Sequence, residues 1–60
     1  MALKDMITEV ANAMKSLGYR NVEDNVSRIR VKSIGLNRSL VEFGKAIIGI
    51  YDFSTHTFVD

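Results

Sequence analysis

Asp52, His56 and Asp60 are the residues of this chain whose types and spacing could bind a metal ion. Histidine and carboxylate side chains make up the facial triad of non-haem metal sites, and residues four apart share one face of a helix. Ser54 and Thr55, however, are typical of a turn, in which these three side chains need not converge. The sequence therefore predicts that Asp52 caps a turn and that His56 lies at its tip, and we assign no metal and no cofactor.

A catalytic set is equally hard to assemble. The chain has one histidine and no cysteine, and no serine lies in a nucleophile-elbow pattern, so a serine–histidine–acid site would have to form around His56. A fold of 60 residues also has difficulty enclosing a pocket of about 300 Å³ while keeping a core. We therefore predict that the protein is not an enzyme. A small metal-dependent hydrolase using Asp52 and His56 is the last of the alternatives.

The cationic row Arg28, Arg30 and Lys32 occupies alternate positions of a predicted strand. At about 3.3 Å per residue the row spans roughly 13 Å, which is comparable to two phosphate spacings along a nucleic-acid strand. Tyr51 and Phe53 on the same sheet face would offer stacking surfaces for unpaired bases. The competing interpretation is that Glu42 pairs with one of these cations, while the others are solvated or protect a sheet edge from aggregation.

The charge balance ranks nucleic-acid binding below protein binding. The formal net charge is +1, with −1 in residues 1–25 and +2 in residues 26–60. A domain dedicated to nucleic acid normally carries a larger positive excess. Any surface that attracts anions should lie in the second half of the chain.

An amphipathic helix is the clearest predicted element. Its apolar residues recur at helical spacing along one stripe, and Gly18 follows where a left-handed C-terminal cap is expected. The stripe consists of Leu3, Met6, Ile7, Val10, Met14 and Leu17. A free helix seeking a membrane or a partner groove is the alternative, but the strands that follow need a cover.

Short strands follow the helix. Residues 27–33 alternate between apolar or small and cationic side chains, and Asn37, Arg38 and Ser39 indicate a turn. Returning strands are predicted at residues 40–43, 46–53 and 57–59. Ser39 and Glu42 have the spacing of a helical capping box, so residues 39–48 could instead be helical, but their glycines and β-branched residues favour strand.

Together these elements predict an α+β fold in one domain, residues 1–60. One N-terminal helix packs on a small antiparallel sheet of three to four strands, in the order α-β-β-β-β. This outline is shared by several unrelated families of small domains, and a fold alone does not give a function.

The predicted strand at residues 46–53 is apolar on both sides. If it alternates regularly, Ile47, Tyr51 and Phe53 lie on the face opposite Ile48 and Ile50. One helix can cover only one face, and a domain this small buries only about 60% of its unfolded surface. We therefore expect a second copy to cover Ile47, Tyr51 and Phe53 in a homodimer. The alternative is that Leu36, Leu40, Phe58 or the C-terminal tail closes a monomeric core.

The leading functional hypothesis is a non-enzymatic module that regulates another macromolecule by protein–protein contact, as a homodimer or with an unidentified protein partner. Nucleic-acid binding through Arg28, Arg30 and Lys32 is the rival. No apolar run approaches the roughly 18 residues of a membrane span, and the N-terminus lacks the pattern of a signal peptide. We expect a cytoplasmic protein without a membrane partner, and its first and last residues are consistent with a complete short reading frame.

Overall fold

The computed structural model describes residues 2–59, and within them it has one helix and a four-stranded sheet. The elements are α1 (Leu3–Ser16), a 3-10 segment (Glu23–Arg28), β1 (Ile29–Ser33), β2 (Arg38–Phe43), β3 (Ala46–Asp52) and β4 (Thr57–Phe58). The strands are antiparallel and lie in the order β1-β2-β3-β4. The predicted α+β fold is confirmed, and the helical alternative for residues 39–48 is wrong.

The helix α1 buries the centre of its apolar stripe and leaves the two ends of the stripe exposed. Val10 and Met14 are fully buried, whereas Leu3 and Leu17 are each 62% exposed. Gly18 ends the helix with a φ of 97°, a left-handed conformation that glycine adopts without steric cost. The N–H of Tyr19 then donates to the carbonyl of Met14 over 3.2 Å, the long hydrogen bond of a Schellman cap.

The hydrophobic core lies between α1 and one side of the sheet, which we call the helix-facing side. Tyr51 is the largest fully buried side chain, and it makes edge-to-face contacts with the rings of Phe53 and Phe58 at centroid distances of 4.8 and 5.0 Å. The buried hydrophobic residues are Val10, Ala11, Met14, Val22, Ile29, Val41 and Tyr51. Phe58 thus contributes to the core within the single chain.

A β-bulge in β3 changes which side chains share a face. Val41 pairs with Gly49 and Glu42 pairs with Ile47, so Ile48 is the extra residue on β3. Gly49 has a φ of 149°, a value that side-chain-bearing residues rarely adopt. The regular alternation predicted across residues 46–53 is therefore wrong, because one inserted residue reverses the side on which later side chains point.

The connection between α1 and β1 is more structured than predicted. Glu23–Arg28 forms a 3-10 segment, and Val22 just before it is fully buried in the core. Ser27 and Arg28 belong to this segment, so β1 begins at Ile29 and not at Ser27. No helix in the described residues is long and apolar enough to cross a bilayer.

Candidate interaction surface

The face of the sheet turned away from α1, which we call the outer face, is open to solvent in the described part of the chain. Cross-strand partners share a face, and the pairs Arg30–Glu42, Lys32–Leu40, Leu40–Ile50 and Glu42–Ile47 all lie on the outer one. Ile47 is 70% exposed there and Val59, whose N–H donates to the carbonyl of Ile50, is 40% exposed. Leu40 and Ile50 between them are half-buried.

We call Leu40, Ile47, Ile50 and Val59 the aliphatic patch. Two strands, β2 and β3, and the C-terminal end of the described chain contribute to it. Ile47 was predicted on an uncovered face, whereas Ile50 was assigned to the opposite face and Leu40 and Val59 were not predicted there. The alternation of Leu40 with Val41 was the one available signal for Leu40, because only one of two successive strand residues can face the helix.

The structure does not bring Ile47, Tyr51 and Phe53 onto one face, so this part of the prediction is wrong. Tyr51 is 1% exposed and Phe53 packs half-buried against the same core, both on the helix-facing side. Only Ile47 remains on the outer face. The cause is the bulge at Ile48, which separates Ile47 from the two rings.

Arg30 and Lys32 lie on the outer face of β1 as predicted, whereas Arg28 lies at the end of the 3-10 segment. Glu42 pairs with Lys32, its carboxylate 3.2 Å from the ammonium group. The N–H of Gly44 donates to the carbonyl of Arg28 over 3.0 Å, which holds the β2–β3 turn, and with it Lys45, beside the predicted row.

A shallow groove of about 560 Å³ lies here, and it is lined by Ser27, Arg28, Arg30, Lys32, Glu42, Gly44 and Lys45. The groove holds four cations and one acid, a formal charge of +3 in a chain whose total is +1. Lys45 was missed by sequence analysis because its place depends on how the β2–β3 turn docks on the 3-10 segment.

His56 is tied to the helix through Glu9. One carboxylate oxygen of Glu9 accepts a hydrogen bond from the Tyr51 hydroxyl at 2.6 Å and lies 2.8 Å from Nδ1 of His56. The bond from Tyr51 lowers the pKa of Glu9, against the opposing effect of desolvation and with help from His56. Burial, followed by the hydrogen bond to Glu9, raises the pKa of Tyr51.

Asp52 caps the β3–β4 turn, as the sequence predicted. Its Oδ1 accepts hydrogen bonds from the N–H and hydroxyl of Ser54 at 2.8 and 2.5 Å and from the N–H of Thr55 at 3.3 Å. Its Oδ2 accepts from Nε of Arg38 at 3.1 Å. The bonds from Ser54, with smaller help from Arg38 and Thr55, lower the pKa of Asp52 to about 2.

Asp52 and His56 are thus engaged with different partners and do not converge on one point, and Asp60 lies outside the described residues. Within residues 2–59 no three histidine, cysteine or acidic side chains are grouped to hold a metal ion. Glu9 orients the His56 ring, but no described hydroxyl group is hydrogen-bonded to its other ring nitrogen. In the described part of the chain the contact between Glu9 and His56 links α1 to the last hairpin.

No family model, curated protein or solved structure significantly matches this chain.

Proposed function

We propose that the protein is a non-enzymatic interaction module and that the outer face of its sheet binds a second copy of the same chain. The observation that supports this proposal is the aliphatic patch. Exposed apolar side chains that cluster on an uncovered sheet face are typical of interaction sites. The homodimer would be symmetric, so that the patch of one copy packs on the patch of the other.

The size of the face is consistent with a weak dimer. The four strands, about 4.8 Å apart and five, six, seven and two residues long, give a flat area of roughly 300 Å², which side-chain relief enlarges. Standard interfaces bury about 800 Å² on each partner, and smaller ones belong to transient complexes. We therefore expect a dissociation constant in the micromolar range, which corresponds to a binding free energy of about −8 kcal/mol.

The charges around the patch favour a copy of this chain over a strongly charged partner. The two acids of the outer face, Glu42 and Asp52, already form ion pairs with Lys32 and Arg38. The surplus cations lie on one side, toward β1 and the β2–β3 turn. A two-fold axis that lies in the interface plane, across the line from the aliphatic patch to these cations, would place the cations of the two copies at opposite ends of the interface. A cytoplasmic location belongs to the same proposal.

Ile47→Lys tests the dimer. A lysine in the aliphatic patch would place a charged group against the apolar side chains of the second copy, so we expect the dimer dissociation constant to rise at least tenfold, the effect of about 1.4 kcal/mol. The fold should persist, because Ile47 is 70% exposed. Sedimentation equilibrium over about 1 to 500 μM covers the expected constant.

Ile34→Lys is the matched control, because Ile34 is also exposed, at 55%, but lies in the loop that follows β1. This variant should dimerise like the wild-type protein. A wild-type chain that stays monomeric across the whole concentration range would reject the proposal. Equal dissociation constants for Ile47→Lys and wild type would show that the dimer contact lies on another surface.

Nucleic-acid binding is the second candidate, and the basic groove favours it. Residues 2–59 form no ion pair with Arg28, Arg30 or Lys45, so these cations are free to meet phosphates. The stacking surfaces expected from Tyr51 and Phe53 are lost, because both rings face the helix. Only the electrostatic contribution remains, which would give weak binding without base preference.

Salt titration measures that contribution. Binding of a single-stranded oligonucleotide of about 20 nucleotides to a groove with three or four cations should give a log–log salt slope of about −2 to −3. Arg30→Gln with Lys45→Gln should reduce the magnitude of the slope by about 1.4, since each phosphate contact contributes about 0.7. Fluorescence anisotropy follows both.

Lys4→Gln with Lys15→Gln is the charge control, because it removes the same charge from two lysines of α1 that do not line the groove, at the cost of the ion pair between Lys15 and Glu23. It should leave the slope unchanged. An equal decrease in the magnitude of the salt slope in the two double variants would mean that net charge alone attracts the nucleic acid. A binding constant independent of salt would remove this candidate.

A further inference from the structure

A cavity of about 320 Å³ lies at the end of the core, between the first turns of α1 and the loop that joins β1 to β2. Its apolar lining comes from Met6, Leu36 and Phe53. The polar lining consists of Ser33, Asn37, Arg38 and Ser39. No residue of the aliphatic patch lines the cavity, so it is distinct from the proposed dimer contact.

Two serines end the rows of helix-facing side chains at this end of the sheet, and of the two Ser39 is buried and Ser33 is exposed. Along the helix-facing side, β1 presents Ile29, Val31 and then Ser33, and β2 presents Phe43, Val41 and then Ser39, the cross-strand partner of Ser33. An apolar side chain at the buried position, Ser39, would fill part of the space and stabilise the domain. A domain with only seven buried hydrophobic residues in its described part has much to gain from such filling. The buried serine therefore points to a use for the cavity.

The Ser39 hydroxyl is available to a ligand. The residue is 2% exposed, and its hydroxyl forms no hydrogen bond within residues 2–59. No fully enclosed side-chain oxygen or nitrogen of the described residues lacks a partner. The oxygen of Ser39 must accordingly reach the open space of the cavity that the residue lines.

We propose that this cavity binds a small neutral molecule with one ring or branched apolar group and one hydroxyl or amide. An apolar cavity of about 150 Å³ holds benzene, so one of about twice that volume accommodates a ring with a short polar arm. The apolar group packs against Met6 and Phe53, and the polar group hydrogen-bonds to Ser39. The ligand is neutral because the charged lining residue, Arg38, is already paired with Asp52 at 3.1 Å.

Leu36 gives the cavity a means of closing. It lines the opening and yet is 99% exposed, in the loop held at its ends by hydrogen bonds from Ile34 N–H to Arg38 O and from Phe53 N–H to Asn37 O, at 3.0 and 2.8 Å. An apolar side chain at the mouth gains contacts when a ligand fills the space beneath it. Ligand binding should therefore bury Leu36.

Benzyl alcohol and toluene are the probes, because they differ by the hydroxyl group. Two-dimensional NMR should show millimolar binding of benzyl alcohol with shifts at Met6, Leu36 and Phe53. Toluene should bind five- to tenfold more weakly, the effect of about one neutral hydrogen bond. Ser39→Ala should lower the affinity for benzyl alcohol to that for toluene, and Ser39→Val, which fills the space, should abolish binding of both while the spectrum stays folded.

Each other outcome overturns the proposal. Unmoved signals of Met6 and Phe53 with both probes would mean that the cavity binds neither. Equal affinities of wild type and Ser39→Ala for benzyl alcohol would remove the role of Ser39. Tighter binding of benzoate than of benzyl alcohol would contradict a neutral ligand.

Discussion

Tyr51→Ala is expected to unfold the protein at 25 °C. Tyr51 is the largest fully buried side chain and contacts the rings of Phe53 and Phe58. Replacement of a buried aromatic residue by alanine lowers the free energy of unfolding by about 3–5 kcal/mol. The core of a domain below about 70 residues rarely supplies more than that in total. Circular dichroism and the dispersion of amide NMR signals should both show an unfolded chain.

Tyr51→Phe is the matched control, because it keeps the ring and removes only the hydroxyl that donates to Glu9 over 2.6 Å. It should stay folded, with a free energy of unfolding lower by about 1.5 kcal/mol, typical of a hydrogen bond to a charged acceptor. A folded Tyr51→Ala with native-like stability would place Tyr51 outside the core.

The dependence of stability on alkaline pH separates the contribution of the Tyr51 hydroxyl from that of its ring. Burial raises the pKa of Tyr51 above its ordinary value of 10.0 in the folded protein. Above pH 10 the unfolded chain therefore holds fewer protons than the folded one, and the stability of the wild-type protein falls as the pH rises. Tyr51→Phe lacks this proton, and its stability should fall less over the same range.

The fold could be predicted from local patterns because each element has its own signal. The helical stripe around Val10 and Met14, the glycine at position 18 and the turn at Gly44 each depend on neighbours in sequence. The ends of the stripe did not follow the pattern, since the sheet is too small to cover Leu3 and Leu17. Helical periodicity shows which side of a helix is apolar, but the length of the partner decides how much of it is buried.

The candidate interface was predicted less well because it depends on register. The presence of strand β3 was predicted correctly, yet one bulged residue, Ile48, moved Tyr51 and Phe53 to the side opposite Ile47. Gly49 was a signal for the bulge, because an isolated glycine within a strand often accompanies one. That signal gives neither the position of the extra residue nor the direction of the change.

The contact between Glu9 and His56 could not be predicted from spacing. The two residues are 47 positions apart, and they meet because the β3–β4 turn folds toward the polar edge of α1. His56 has a φ of 59°, so the turn itself adopts a left-handed backbone there. The same turn depends on Asp52, which connects it to the acid sensitivity of the fold.

Acid should destabilise the protein mainly through Asp52 and Glu9. Hydrogen bonds from Ser54 lower the pKa of Asp52 from 3.8 to about 2, and the bond from Tyr51 lowers the pKa of Glu9. A carboxylate whose pKa is lower in the folded state binds a proton first in the unfolded state, so stability falls as the pH falls. The stabilisation is complete above about pH 4.5 and is lost progressively toward pH 2.

Asp52→Asn isolates the larger of these effects. Asparagine keeps an acceptor for the N–H groups of Ser54 and Thr55 but cannot pair with Arg38 as an anion. Urea unfolding at several pH values should find the variant less stable than wild type at pH 7, with the two curves converging near pH 2. Asp24→Asn is the control, because Asp24 is exposed and forms no ion pair within residues 2–59; its curve should run parallel to that of the wild type. A constant difference between wild type and Asp52→Asn from pH 7 to pH 2 would mean that the Asp52 network acts through its shape and not through its charge.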